Sequence, residues 1–177
     1  MEEAMHFDHI EGGLSALQPL LRAGLSLSQV CALTGAEGST VQNWVKRGWV
    51  AKPEGKKYFE RQFCRILLLN ALREGMQLER IVALLARVNG SVEDRADDII
   101  PEGRLYECLL FVMERCREEN CFAPDAFVEE ALADYEGTAE QKQRLSECLR
   151  LMSLACAAAR LRRLCDEGFS EMFFGER

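Results

Sequence analysis

The chain has 177 residues, 48% hydrophobic and 29% charged, which is a globular composition suited to one large domain or two small ones and excludes a disordered chain. No apolar run reaches the roughly 18 residues that a membrane span needs. The N-terminus is acidic, unlike a secretory signal. We therefore expect a cytoplasmic protein with no membrane partner.

The formal net charge of −7 is unevenly distributed along the chain. Residues 27–90 contain ten lysines and arginines against five glutamates, a net charge of +5, so the remainder carries −12. Such asymmetry is a recognised sign of a nucleic-acid-binding part joined to a different module. The total charge alone would argue against nucleic acid, but its distribution favours it.

The eight cysteines lack the Cys-x-x-Cys spacing of zinc and redox sites, and Cys116 and Cys121 are the closest pair. Most of the cysteines lie in apolar runs, so we predict reduced thiols that pack as small hydrophobic groups. The two histidines, His6 and His9, fall in a predicted N-terminal arm. With so few metal ligands and no nucleophile motif, we predict no metal site, no cofactor and no enzymatic activity.

The basic part of the chain begins with two short predicted helices separated by a tight turn. The first covers residues 27–33 and is ended by Gly35, as a left-handed C-terminal glycine does. The second opens at Ser39 or Thr40 and stops at Gly48. This order of elements predicts a helix-turn-helix arrangement.

The second helix has two chemically different faces. Val41, Trp44 and Val45 are spaced i, i+3, i+4 and predict its buried side. The opposite stripe carries two amides and a cation but no acid, and amides pair bidentately with adenine edges in the major groove. A merely solvated face is the alternative for this stripe. The predicted base or groove contacts are Ser39, Thr40, Gln42 and Asn43.

A Pro-x-Gly turn at Pro53, flanked by apolar residues, predicts a small β-hairpin. Lysines cluster around its tip, so the hairpin is suited to contacting phosphates beside a groove, as a wing does. Arg61 and Arg65, one and two turns into the next helix, extend the basic patch. The predicted DNA backbone contacts are Lys46, Arg47, Lys52, Lys56, Lys57, Tyr58 and Arg61.

The rest of the chain reads as helical. Residues 91–101, SVEDRADDIIP, predict an acidic linker and a domain boundary; their spacing is not that of a calcium-binding EF-hand loop. In the helical part that follows, the small residues 155–159 predict either internal packing or a dimer seam. Two further helices complete a small core before the linker, over residues 60–73 and 78–89.

Residues 27–88 resemble the winged helix-turn-helix of MerR-type regulators. The second helix of that family typically reads T-G-V-S-P-R-T-L-R-Y-W-E-R-E-G-L-L, and TGAEGSTVQNWVKRGWV aligns with it without a gap. The family's proline followed by G-x-R-x-Y resembles residues 53–58, and its G-x-S-L-E-E-I resembles residues 75–81. The identical residues in the helix are Thr34, Gly35, Thr40, Trp44 and Gly48, and the similar ones are Val41, Lys46 and Val50.

The chain departs from the MerR pattern at the recognition helix. Ser39 and Gln42 stand where the family has arginines, and Asn43 stands where it has a tyrosine. The resemblance therefore implies DNA binding in which the lysines of the wing supply more of the backbone grip. The phrase VNGSVEDRADDII also resembles the bacterial family called domain of unknown function 1836, whose members join a MerR-like N-terminal half to a helical C-terminal half.

Together these patterns predict a mainly α protein, with a MerR-like winged helix-turn-helix and a separate all-α helical module. The predicted function is sequence-specific binding of double-stranded DNA in transcription regulation, with the C-terminal helices forming a homodimer or sensing an unidentified effector. The alternatives are an excisionase-like architectural DNA-binding factor and a protein-interaction adaptor with a degenerate helix-turn-helix. The predicted parts are an N-terminal arm and helix over 1–26, the winged helix-turn-helix over 27–90, the acidic linker over 91–101 and the helical module over 102–177.

Overall fold

A computed structural model of the protein describes residues 13–94 and 96–175, so His6 and His9 lie outside the described residues. Within those ranges the chain forms eight α-helices and no β-strand, which confirms a mainly α fold. None of these helices combines the length and apolarity that crossing a membrane requires. The helices are α1 (Gly13–Ala23), α2 (Leu27–Thr34), α3 (Gly38–Lys46), α4 (Glu60–Leu72), α5 (Leu78–Asn89), α6 (Glu102–Glu118), α7 (Asp125–Ala131) and α8 (Ala139–Phe174).

The short helices α2 and α3 are set by local hydrogen bonds at their junctions. Ser26 Oγ accepts from the Gln29 amide at 3.3 Å, and Gln29 Oε1 accepts from the Ser26 amide at 2.9 Å, which is a capping box. Gly35 ends α2 with φ 67°, and its amide donates to the Cys31 carbonyl at 2.9 Å. The conformation at Gly35 favours glycine because a Cβ is strained at positive φ. The turn between α2 and α3 therefore follows from the local sequence.

Helix α4 is the central helix of the fold. It packs against α1, α2, α5, α6 and α8, and almost every side chain from Gln62 to Leu72 is buried. A helix with apolar residues on every side of its middle turns is stable only where neighbouring helices cover all of those sides. Its one strongly polar member in the middle of the buried run, Arg65, consequently needs a partner inside the protein.

The predicted hairpin is reduced to a single turn. Glu54 and Lys57 exchange backbone hydrogen bonds of 3.0 and 2.9 Å, but Tyr58 then pairs with Leu25 and no strand follows within the described residues. The backbone groups beyond this turn bind the side chain of Gln62 instead of each other. Gln62 Nε2 donates to the Lys52 carbonyl at 3.2 Å, and Gln62 Oε1 accepts from the amide of residue 59 at 3.0 Å. An inserted amide therefore replaces the backbone pairing that would extend the hairpin.

Residues before and after the acidic segment belong to one buried cluster. Helix α4 packs on α6 and α8, and α5 packs on α8. At the turn between α4 and α5, a Cβ on Gly75 would overlap the backbone carbonyl of Ala155 in α8. The domain boundary predicted at residues 91–101 stays a prediction. The helices before this segment pack against the helices after it.

The small-residue stretch of α8 contributes to internal packing. Ala155 and Ala159 are buried in the same core as Leu149 and Met152, and Leu161 is exposed. Of the two roles predicted for residues 155–159, the structure supports internal packing for its buried members. Ala158, in the same stretch, is exposed, so the stretch borders both the core and the exposed side of α8.

Candidate nucleic-acid interface

Helix α3 presents the two faces that its sequence predicts. Val41 and Trp44 are almost fully buried and Val45 is half-buried. On the other side, Gln42 and Asn43 point their amides to solvent, and no described residue hydrogen-bonds them. The stripe of predicted contacts is thus accessible, with Ser39, Gln42, Asn43 and Lys46 exposed and Thr40 half-buried.

Aromatic and cationic side chains hold the buried side and the C-terminal end of α3 in place. The guanidinium of Arg73 lies 5.9 Å from the centre of the Trp44 ring, a cation–π contact. The Trp44 carbonyl accepts from the Trp49 amide at 2.9 Å, and the Trp49 carbonyl accepts from Arg65 Nε at 3.3 Å. The end of α3 is therefore tied to α4, which gives the exposed stripe a rigid support.

An acidic side chain lies at the beginning of α3. Glu37 occupies the N-cap position with extended backbone, and its Oε2 accepts a hydrogen bond from Ser39 Oγ at 3.3 Å. Negative charge at a helix N-terminus stabilises the helix, but it occupies the place where a phosphate would otherwise be favoured. The stripe itself contains no acid, but Glu37, two residues before Ser39 in the sequence, places one at its N-terminal end.

Arg47 lies at the other end of α3 and is largely exposed. Its guanidinium sits 4.8 Å from the centre of the Trp49 ring and its Nη1 is 3.7 Å from Glu79 Oε1. Both members of that ion pair are more than half exposed, so the pair contributes little stability and leaves the cation available for another anion. Arg47 is therefore accessible at the surface, and its contact with the DNA backbone stays a prediction.

The lysine-bearing turn, residues 52–57, has an unusual backbone. Gly55 and Lys56 both have positive φ, 55° and 64°, which is the geometry of a two-residue type I′ turn. Lys52, Lys56 and Lys57 are exposed. The turn therefore presents three cations to solvent, as the sequence predicts.

Tyr58 does not share that exposure. Its side chain is 4% exposed and belongs to the hydrophobic core, and burial raises the pKa of its hydroxyl above the usual value. The backbone of Tyr58 is held by two hydrogen bonds of 2.8 Å to Leu25, which draw the residue inward. The expected contact between Tyr58 and DNA is therefore not available in this structure.

Arg61 is engaged by the acidic segment that follows α5. Its Nη2 donates to Asp98 Oδ1 at 3.0 Å and to the Asp94 carbonyl at 2.8 Å, and its side chain is 14% exposed. A guanidinium that is held by a carboxylate and a carbonyl and is mostly buried is poorly placed to reach a phosphate outside the protein. The structure thus takes Arg61 out of the exposed basic patch and uses it to hold residues 91–98 against α4.

Arg65 is also withdrawn from the patch, into the core. Its Nη1 lies 2.9 Å from Glu102 Oε1, and the two side chains are 3% and 2% exposed. Burial raises the pKa of Glu102 while the charge of Arg65 opposes that shift. The pair joins α4 to α6. The sequence carried one signal for it, since Arg65 lies between the apolar residues 64 and 66.

The cysteines do not form a site among the described residues. All eight are free thiols, and no group of histidine, cysteine and acidic side chains there has the arrangement of a metal site. Five are buried, and burial raises the pKa of Cys156 to about 12, which keeps it a neutral thiol. Cys165 is exposed.

Comparison with known proteins identifies the family. A family model described as "Domain of unknown function (DUF1836)" matches residues 21–109. The chain belongs to this family. The DUF1836 match begins in α1 and ends in α6, so it includes α3, the lysine-bearing turn and both members of the Arg65–Glu102 pair.

A relative with a similar sequence is the uncharacterized protein YkrK of Bacillus subtilis (strain 168). It is 31% identical over 100 residues, which are 54% of this chain and 43% of that protein. The match therefore spans less than half the length of the relative. No solved structure matches the chain.

Proposed function

We propose that the protein is a sequence-specific DNA-binding transcriptional regulator in which α3 enters the major groove. The observation that carries the proposal is the exposed stripe of α3, which offers two free amides and a cation on a helix whose other face is buried. Bidentate amides read adenine edges, and a helix of this diameter fits the major groove. The tie between Trp49 and Arg65 supplies the rigid support that such reading needs.

The proposal includes a MerR-like arrangement in which the lysine-bearing turn acts as a wing. Lys52, Lys56 and Lys57 are exposed, and a two-residue turn of the hairpin type presents them. The sequence resemblance over residues 27–88 supports the same arrangement. Phosphate contacts position a protein on DNA without reading its sequence, so these lysines serve affinity while Gln42 and Asn43 serve specificity.

A second candidate, a protein-interaction adaptor, has one observation in its favour. Arg61 is bound by Asp98, and Glu37 adds negative charge at the start of α3, so the positive field around the stripe is weaker than the sequence indicates. In that case the stripe would contact a protein instead of bases. An excisionase-like architectural factor would use the same surface on DNA with less discrimination between sequences.

A salt series on DNA binding separates the two DNA-binding candidates from the adaptor. With roughly four to six phosphate contacts per subunit, log K should fall linearly with log salt, with a slope of about −0.9 per contact. The adaptor predicts no DNA binding at low salt, or binding indifferent to salt. Either result would exclude the regulator.

Base reading is tested by two substitutions on the stripe. Gln42→Ala and Asn43→Ala should each cost roughly 1–3 kcal/mol on the preferred site, selected from random DNA, and much less on unrelated DNA. Gln143→Ala is the matched control, because Gln143 is an exposed amide on α8. Equal losses on selected and random DNA would show that the two residues do not read bases and would favour the architectural role.

A further inference from the structure

Helix α8 carries most of the exposed hydrophobic surface. Among the described residues nine large apolar side chains are exposed, and seven of them lie on this one helix. Isolated apolar residues on a surface are ordinary, but a concentration on one element marks an interaction site. The seven are Leu151, Leu154, Leu161, Leu164, Phe169, Met172 and Phe173.

Four of these seven side chains, Leu151, Leu154, Leu161 and Met172, fall in a coiled-coil repeat. Seven positions of low polarity, separated alternately by three and four residues, form a stripe that is exposed throughout. This is the spacing of the a and d positions of a heptad, which line up along one side of a helix. The stripe, called here the α8 seam, consists of Leu151, Leu154, Ala158, Leu161, Cys165, Gly168 and Met172.

The α8 seam is distinct from the face that α8 turns to the core. Leu149, Met152 and Ala159 are buried and lie on the opposite side of the helix. Beyond Arg163, every described side chain up to Phe173 is exposed. Helical turns without tertiary packing are marginal in water, so the last turns of α8 need a covering partner to be stable.

We propose that the α8 seam binds the same seam of a second copy of this chain, forming a two-helix coiled-coil homodimer. Leu151, Leu154, Leu161 and Met172 belong to the seam, and Leu164 and Phe169 border it. Taking about 150–200 Å² for a large apolar side chain and the exposed fraction of each, these six offer on the order of 500 Å² per protomer. The small seam residues and the backbone between them bring this close to the roughly 800 Å² per partner that a stable interface buries. A two-fold dimer uses one patch on both copies, which a seam that repeats along its length provides.

The charges beside the seam agree with a second copy as the occupant. Residues 160–171 contain three arginines, at 160, 162 and 163, and three acids, at 166, 167 and 171. Two such segments meet without net repulsion, whereas DNA would require a positive surface. The inference extends the proposed function by naming the partner surface, and it rests on α8 and not on DNA contacts.

Sedimentation velocity of the full chain tests the inference without DNA. In reducing buffer, from low micromolar to submillimolar protein, the wild type should have about twice the 20.0 kDa protomer mass. Leu161→Glu places a charge in the middle of the seam and should give the protomer mass. Ser170→Glu adds the same charge to an exposed position on the opposite side of α8 and should remain dimeric.

A second measurement uses the native thiol in the seam. Labelling of Cys165, followed by mass spectrometry, should slow as the wild-type concentration rises and should be independent of concentration in Leu161→Glu. A wild type of protomer mass at every concentration, or equal dissociation by Leu161→Glu and Ser170→Glu, would overturn the inference. Either result would leave the DNA-binding proposal standing, and failure of DNA binding would leave the dimer standing.

Discussion

The buried ion pair between α4 and α6 is the contact on which we place the most specific stability prediction. Arg65 Nη1 and Glu102 Oε1 are 2.9 Å apart, and both side chains are at least 97% excluded from solvent, since they are 3% and 2% exposed. Replacing Glu102 by leucine leaves the Arg65 guanidinium charged, buried and without its carboxylate. Breaking a buried pair in this way costs about 3–5 kcal/mol.

The assay is urea unfolding of the full chain followed by circular dichroism. In a protein of this length, each kcal/mol lost from the free energy of unfolding lowers Tm by roughly 2–4 °C. Glu102→Leu should therefore also lower Tm by roughly 6–20 °C. Arg65→Met should destabilise comparably, because it leaves the carboxylate buried. The double variant should be more stable than either single one, since it removes both charges from the core.

An exposed pair of the same length provides the control. Arg104 Nη2 and Asp134 Oδ1 are also 2.9 Å apart, but their side chains are 44% and 73% exposed. Asp134→Asn should cost at most about 1 kcal/mol, because water screens the pair and solvates the remaining charge. If Glu102→Leu costs no more than Asp134→Asn, or if the two core substitutions add without coupling, the reasoning from burial is refuted.

Three further predictions concern single positions. Glu37→Gln removes the acid at the start of α3 and should tighten DNA binding about two- to fivefold at low salt, as read by fluorescence anisotropy; unchanged or weaker binding would contradict this. Lys56→Gly relieves a positive φ of 64° and should keep or raise the free energy of unfolding while weakening DNA binding, so a variant that loses stability would argue against the turn geometry. Gly75→Ala forces a methyl group against the Ala155 carbonyl and should cost about 1–3 kcal/mol in urea unfolding; a neutral result would mean that α8 is not held so close to this turn.

Local sequence determined the helices and the division of α3 into two faces. The capping box at Ser26, the left-handed Gly35 and the spacing of Val41 and Trp44 each act within one turn of the chain, so their consequences can be read from neighbouring residues. The exposure of Gln42 follows from the same periodicity. These features reproduce the start of the fold and the accessible part of the candidate interface.

Only the tertiary structure decided which basic residues remain at the surface. Arg61 and Arg65 read as members of one patch, but their acidic partners, Asp98 and Glu102, lie 37 residues further along the chain in each case. Tyr58 is likewise withdrawn by pairing with Leu25 across α2 and α3. The spacing of neighbouring residues cannot predict these contacts between residues far apart in the sequence, because the contacts depend on how the helices pack.

The same reason explains the seam of α8. Its sequence is apolar on two sides, and periodicity alone cannot say which side the core uses. The packing of α4, α5 and α6 covers the side that contains Met152 and leaves Leu161 exposed. The sequence thus determined that α8 is a long helix with more apolar surface than a single packing contact covers. The tertiary structure decided which part of that surface faces solvent, because only packing against other helices selects one face of a helix over another.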